Sequence, residues 1–189
     1  IISGVIIFII IIITVFSYDK YSSNKKKEIS ENYNSIIIEY SDSSKEKSAN
    51  KLIEIINKKD PTYSTLSLYF IIDNDLVSDK TVMHNLFQTI INDTPLDKEI
   101  KNLVIYKKAL FYAEEIENNE NRLLDMLKPL INSESVWKSH ALYLMGEYYY
   151  SKNQKQKAKE FFNQIISLED SSLDIKLQAE KRLNRDLSE

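Results

Sequence analysis

The chain has 189 residues, with 25 Lys and Arg against 28 Asp and Glu, a formal net charge of −3, and no cysteine. That length suffices for one packed domain plus an appendage. The interspersed, nearly balanced charge lacks the strongly basic face of a nucleic-acid binder, and the missing thiols exclude disulfides, thiolate zinc sites and cysteine nucleophiles.

The first element is Ile1 to Tyr18, IISGVIIFIIIIITVFSY, which carries no charge. As a helix it would be roughly 27 Å long at ~1.5 Å per residue, close to the ~30 Å hydrocarbon thickness of a bilayer. It predicts a single transmembrane anchor over residues 1–18. A cleaved signal peptide is the weaker alternative, because Val15-Phe16-Ser17 makes a poor small-x-small cleavage site. A buried core helix is disfavoured by the long β-branched run without polar punctuation. Lys20, Lys25, Lys26 and Lys27 follow the span, and basic flanks prefer the cytoplasm. Taken alone, this flank points to a cytoplasmic domain.

Residues 19–35 are polar and predict a helical stalk. Beyond them, residues 36–189 are cut into helix-length pieces by Asp/Asn/Ser breaks, while two glycines and three prolines leave few turns for an all-β fold. Asp60 before Pro61 and Thr94 before Pro95 are helix-start signals, since a first-turn proline loses no intrahelical hydrogen bond. Leu52, Ile53, Ile55 and Ile56, then Leu123, Leu124, Leu127 and Leu130, make apolar faces that need a partner helix.

Repeats organise these pieces. Leu142, Met145, Gly146 and Tyr149, followed by Ala158 and Phe162, match the tetratricopeptide pattern W-x2-L-G-x2-Y…A-x3-F, with Leu142 in the Trp position and Met145 in the Leu position. The small residues Gly146 and Ala158 are expected to face each other where two helices approach most closely, with Tyr149 and Phe162 filling the groove beside that contact. Closing a first unit at Pro61 puts Tyr40 and Ala49 at its aromatic and small positions. A second closes at Pro95, with Phe87 and Ile90 fitting and Met83 replacing alanine. A third unit carries extra residues between Pro95 and Leu124, with Leu124 at the small position and Pro129 near the end of its second helix. A last stretch from Leu173 to Leu187 predicts a capping helix, with Leu173, Leu177, Ala179, Leu183 and Leu187 inward and Asp174, Gln178, Lys181 and Arg185 in solvent. Lys176 and Glu180 fall inside its apolar arc and must snorkel outward. The predicted fold is all-α, an antiparallel helix-pair solenoid of tetratricopeptide type with an N-terminal transmembrane helix.

An apolar span, a stalk and degenerate tetratricopeptide units together resemble the YfgM-like family, the ancillary subunit of the bacterial Sec translocon. The sharpest echoes are Leu127-Lys128-Pro129-Leu130-Ile131 and the stretch from Trp137 to Phe162, which contains SHALYLMGEYYYSKNQKQKAKEFF; Tyr63 to Asp93 departs from the pattern. The resemblance implies a single-pass bacterial inner-membrane protein with its helical domain in the periplasm. It also implies association with translocon subunits and with periplasmic chaperones or envelope-assembly factors. The same layout serves an adaptor for cell-envelope or division coordination, including one facing the cytoplasm, and it leaves homo-oligomerisation open.

Catalytic chemistry finds no motif. His84 and His140 lie in different units, and no phosphate loop, nucleophile elbow or paired-carboxylate motif occurs. No enzyme activity, metal or cofactor is expected, and a hydrolase or metalloenzyme is the least favoured class. A binding face is better supported. The second, fifth, ninth and twelfth positions of the fourth unit's first helix are His140, Tyr143, Glu147 and Tyr150, amphipathic side chains suited to peptide recognition on a concave face. The competing expectation is that this Tyr-rich helix packs against the terminal helix, with Tyr148 and Trp137 as core or cap residues.

Overall fold

The computed structural model describes residues 2–113 and 120–187, with the side chains of residues 2–13, 15, 16, 18, 19 and 120 outside that description. Among the described residues every regular element is helical. In chain order the helices are α1 (Ile2–Glu39), α2 (Lys45–Asn57), α3 (Tyr63–Asp73), α4 (Lys80–Gln88), α5 (Lys98–Ala113), α6 (Glu120–Ile131), α7 (Lys138–Ser151), α8 (Lys155–Ser167) and α9 (Leu173–Arg185). A 3₁₀ turn precedes α2, and a π-helical turn, Thr89–Asp93, ends α4. The chain divides into two compact units, Ile1–Pro95 and Leu96–Glu189.

In the first unit, α1 continues without a break from the apolar segment through the expected stalk. Residues 20–28 are exposed, but Ile29 and Ile36 are buried, so packing begins inside the stretch read from sequence as stalk. The anchor assigned to residues 1–18 falls mainly on side chains outside the described residues. Among the described residues no helix is long and apolar enough to cross a membrane.

The buried faces follow helical spacing. On α2 the inward residues are Ser48, Ala49, Leu52, Ile55 and Ile56, which pack chiefly against α3. Tyr40 meets Phe70 edge to face, with ring centroids 5.2 Å apart. The Tyr63 hydroxyl, 33 residues on from Ser30, donates to its oxygen at 2.7 Å. Asp60 opens the turn into α3 by accepting from the Thr62 and Tyr63 amides, as its place before Pro61 implies.

Thr94 behaves differently from its expected capping role. Its hydroxyl turns back to the Thr89 carbonyl at 3.1 Å and closes the π-helical turn, so α5 starts only at Lys98. Met83, Phe87 and Ile90 are fully buried, yet α4 is short and packs little against α3, which is where the repeat pattern fades in the sequence too.

With few glycines available, helix or turn ends among the described residues place other residues in the left-handed region: Lys59 (φ 56°), Asp75 (φ 49°) and Asn153 (φ 57°). Asn153 is the least costly of these, because its short amide tolerates that region.

The second unit holds two helix pairs, α5 with α6 and α7 with α8, followed by α9. Leu142, Met145, Gly146, Tyr149, Ala158 and Phe162, the six signature residues of the best-matched repeat, are all buried. A Cβ built on Gly146 would meet the Phe162 ring first, standing 2.6 Å from Cε1. Gly146 is small because the Phe162 ring lies against the place its Cβ would take.

In α6 the fully buried residues are Leu123, Leu127 and Leu130, and Leu124 is half-buried. These three repeat the spacing of Ala158, Phe162 and Ile165 on α8, so Leu123 rather than Leu124 holds the small-residue seat. Ala109 of α5 is fully buried as well. Pro129 lies inside α6 near its end, as expected.

The terminal helix rolls away from its predicted orientation. Ala179 and Leu187 are buried and Leu183 is half-buried, but Leu173 is 72% and Leu177 54% exposed. Lys176 and Glu180 are half-buried instead. In this orientation Arg182 reaches Glu147 of α7. The contact pattern is that of a further repeat's first helix: α9 packs more on α8 than on α7, just as α7 packs more on α6 than on α5.

Candidate functional site

The four residues expected on a concave face, His140, Tyr143, Glu147 and Tyr150, lie along α7 and are all half-buried. Three of them meet the chain's own terminal helix. Arg182 of α9 donates from Nε to Glu147 Oε1 at 2.7 Å and from Nη2 to Glu147 Oε2 at 2.7 Å, a two-point fork. Its Nη1 donates to Asp186 at 2.8 Å, and its guanidinium lies 4.8 Å from the Tyr150 ring centroid. Those bonds, Glu147 first, hold the Arg182 guanidinium above its usual pKa, and Arg185 with Arg182 holds the Asp186 carboxyl well below the carboxylate range. Burial raises the Tyr143 hydroxyl, reinforced by the neighbouring Glu147 charge. The helix-packing expectation therefore accounts for Tyr143, Glu147 and Tyr150.

His140 belongs to a different cluster. Its ring centroid lies 5.1 Å from Trp137 and 5.8 Å from Tyr106, and Tyr106 stacks on Trp137 at 5.9 Å. Burial lowers the His140 pKa, while the Val136 carbonyl, close but short of hydrogen-bond geometry, pulls weakly the other way. The folded unit thus favours neutral imidazole, whereas the unfolded chain takes up its proton near pH ~6.5. Stability is fully present above that value and is lost as pH falls through it toward the lower folded value. Urea unfolding of the full chain in detergent should show a lower midpoint at pH 5 than at pH 7.5. In His140→Phe the difference should shrink; an unchanged pH dependence would place its origin elsewhere.

Below the aromatic cluster, the first turn of α5 is tied to the loop before α7. Ser135 donates to Glu99 Oε2 at 2.8 Å and accepts from Asn102 at 3.0 Å, and the Trp137 indole donates to the Glu99 carbonyl at 3.1 Å. Lys98 reaches the Glu134 carbonyl at 2.9 Å. The same device recurs one repeat later, where buried Ser139 accepts from the Ser172 amide at 3.4 Å. Asn102 to Ser135 and Ser139 to Ser172 each span 33 residues, Glu147 to Arg182 spans 35, and Glu99 to Ser135 spans 36. These spacings bracket one tetratricopeptide period of about 34 residues.

These loops border a half-open cleft of about 410 Å³, within the ~300–1,000 Å³ usual for ligand sites. Sequence reading missed Arg182, Tyr106, Asn102 and this cleft. Pairing each polar residue of one unit with its counterpart about 34 positions on would have found Asn102–Ser135 and Ser139–Ser172. Among the described residues no group of three or more His, Asp or Glu is placed to hold a metal ion. The chain matches no family model, no curated protein and no solved structure.

Proposed function

We propose that the chain is a membrane-tethered scaffold of tetratricopeptide-like helix pairs that binds other proteins at the periplasmic side of the Sec translocon, linking it to chaperones or envelope-assembly factors. The observation that carries the scaffold is the run of contacts spaced one repeat apart in the second unit, from Asn102–Ser135 to Glu147–Arg182. Contacts so spaced are what stacked repeats make, because each unit touches mainly its neighbour. The tether rests on the charge-free run from Ile1 to Tyr18. Continuity of α1 from that run to the packed Ile29 would hold the first unit at a set height above the bilayer. The translocon and the periplasm come from the YfgM-like resemblance. The scaffold has no assigned reaction.

Lys20, Lys25, Lys26 and Lys27, all exposed on α1, favour a second reading, an adaptor for envelope or division coordination facing the cytoplasm. Two experiments separate them. A C-terminal alkaline phosphatase fusion should be active if the domain is periplasmic, and an active cytoplasmic reporter in its place would reject that side. Photocrosslinkers at exposed positions in native membranes should capture translocon subunits; their absence among the captured proteins would reject the translocon while leaving the scaffold standing.

A further inference from the structure

On α7, Tyr143, Glu147 and Tyr150 form a seat that α9 takes through Arg182. They are the fifth, ninth and twelfth positions of their repeat. One period of about 34 residues further on, the same positions of α9 are Leu177, Lys181 and Asn184, with Asp174 at the second position. All four are exposed, as is Leu173 one turn before Leu177. A helix that closes a repeat stack in water needs a polar outer face. This one instead turns two leucines outward, and among the described residues nothing covers them.

Charge narrows the occupant. Where α7 offers the Glu147 carboxylate to a guanidinium, the equivalent position of α9 offers the Lys181 ammonium, so the sign of the seat is reversed. The occupant must bring a carboxylate to Lys181, a cation to Asp174 and apolar surface to Leu173 and Leu177. Neither Asp174 nor Lys181 has an ion-pair partner among the described residues.

A second α9 meets that description. Asp174 and Lys181 stand on either side of Leu177, roughly 4.5 and 6 Å from it along the axis at ~1.5 Å per residue. When two copies of the helix run antiparallel and cross at Leu177, each Lys181 comes level with the Asp174 of the other. Leu173 and Leu177 of both copies then fill the seam. A two-fold axis repeats each of these contacts, so the pair closes at two.

We infer that the open face of α9 is a self-association surface, on which a second copy of this chain seats its own α9 antiparallel. The inference rests on the repeat scaffold proposed above and gives it a partner. A helix of 13 residues covers well under the ~800 Å² per partner of a standard stable interface. Pairing is therefore weak between free copies and depends on copies held in one membrane, where tethering raises their effective concentration.

The chain has no cysteine, so one introduced thiol reports its own surroundings. Gln178→Cys replaces an exposed side chain beside Leu177 and keeps both leucines; Gln164→Cys, exposed on α8, controls for chance encounters. Full-length chain in native membranes is treated with a short, membrane-permeant bis-maleimide, and the species of doubled mass is read on a denaturing gel.

Gln178→Cys should give that species several-fold more than Gln164→Cys. Adding Asp174→Lys or Lys181→Asp should lower it by about fivefold or more, because like charges then face each other. Co-expressing these two variants with tags of different length should restore it in the mixed pair, since each supplies the charge the other lacks. Doubling no greater than the control's, or a mixed pair no better than either variant alone, would overturn the inference. So would a Gln178→Cys thiol shielded from a monofunctional maleimide without doubling, which would assign the seat to another protein or segment. None of these results bears on whether translocon subunits are captured, which the photocrosslinkers read separately.

Discussion

Gly146→Val should destabilise the second unit by about 3 kcal/mol, the upper end of what overpacking costs. A Cβ at this position would lie 2.6, 2.8 and 2.9 Å from three atoms of the Phe162 ring. Real Cβ atoms do not stand that close, so something must move. Phe162 cannot yield easily: it is fully buried, and Tyr143 presses on it with centroids 5.5 Å apart. Replacing glycine inside a helix recovers only a few tenths of a kcal/mol for a β-branched residue. For a unit of this size ~4–8 °C is lost per kcal/mol, so the melting midpoint should drop by roughly 15 °C. Phe162→Leu removes the ring edge, and the double variant should be clearly more stable than the two single losses summed. A wild-type midpoint in Gly146→Val would mean that α7 and α8 do not meet here.

That contact shows how much of the fold was legible. Helical spacing and the W-x2-L-G-x2-Y…A-x3-F pattern located α7, α8 and their buried residues, because burial and close approach both constrain residue type. The pattern also set Phe162 in the groove beside Gly146, but not how closely its ring would press on the glycine. A pattern of small residues says that a helix comes near, but not which atoms close the gap. The leucines of α6 were one position out for a related reason: with no small residue at Leu123 or Leu124, the apolar face alone fits either register. Thr94 was misplaced because a Thr-Pro pair signals a helix start only when the backbone before it is not already committed. Here the Thr89 carbonyl, in the π-helical turn, takes the hydroxyl.

The candidate site was less legible than the fold. Position counting along one helix found His140, Tyr143, Glu147 and Tyr150, but a helix cannot declare what covers it. The deciding residue, Arg182, lies 35 positions downstream of Glu147 in a segment whose apolar spacing pointed elsewhere. Leu173 and Leu177 suggested one inward face; the guanidinium fork and buried Ala179 selected another. The cleft drew its walls from three separate loops, none with a motif of its own, so only the folded chain assembles it.

The roll of α9 is open to direct test, because Arg182→Ala should cost about 2 kcal/mol. The pair it breaks is neither exposed nor sealed: Arg182 and Glu147 side chains are 27% and 29% exposed. Exposed pairs contribute ~0–1 kcal/mol, and breaking a buried one costs ~3–5 kcal/mol. Two charge-assisted bonds at 2.7 Å in fork geometry place this pair between those limits. Truncation also removes the guanidinium from the Tyr150 ring. Arg182→Lys should recover less than half of the loss, since an ammonium cannot make both bonds of the fork. Hydrogen exchange is the sharper readout. Amides of α9 should lose protection in Arg182→Ala while those of α5 and α6 keep theirs, because repeats open from the end whose interface has been weakened. If α9 instead kept its protection, Ala179 and Leu187 alone would be holding it. The covering of Tyr143, Glu147 and Tyr150 would then be a matter of apolar packing, with the ion pair a passenger.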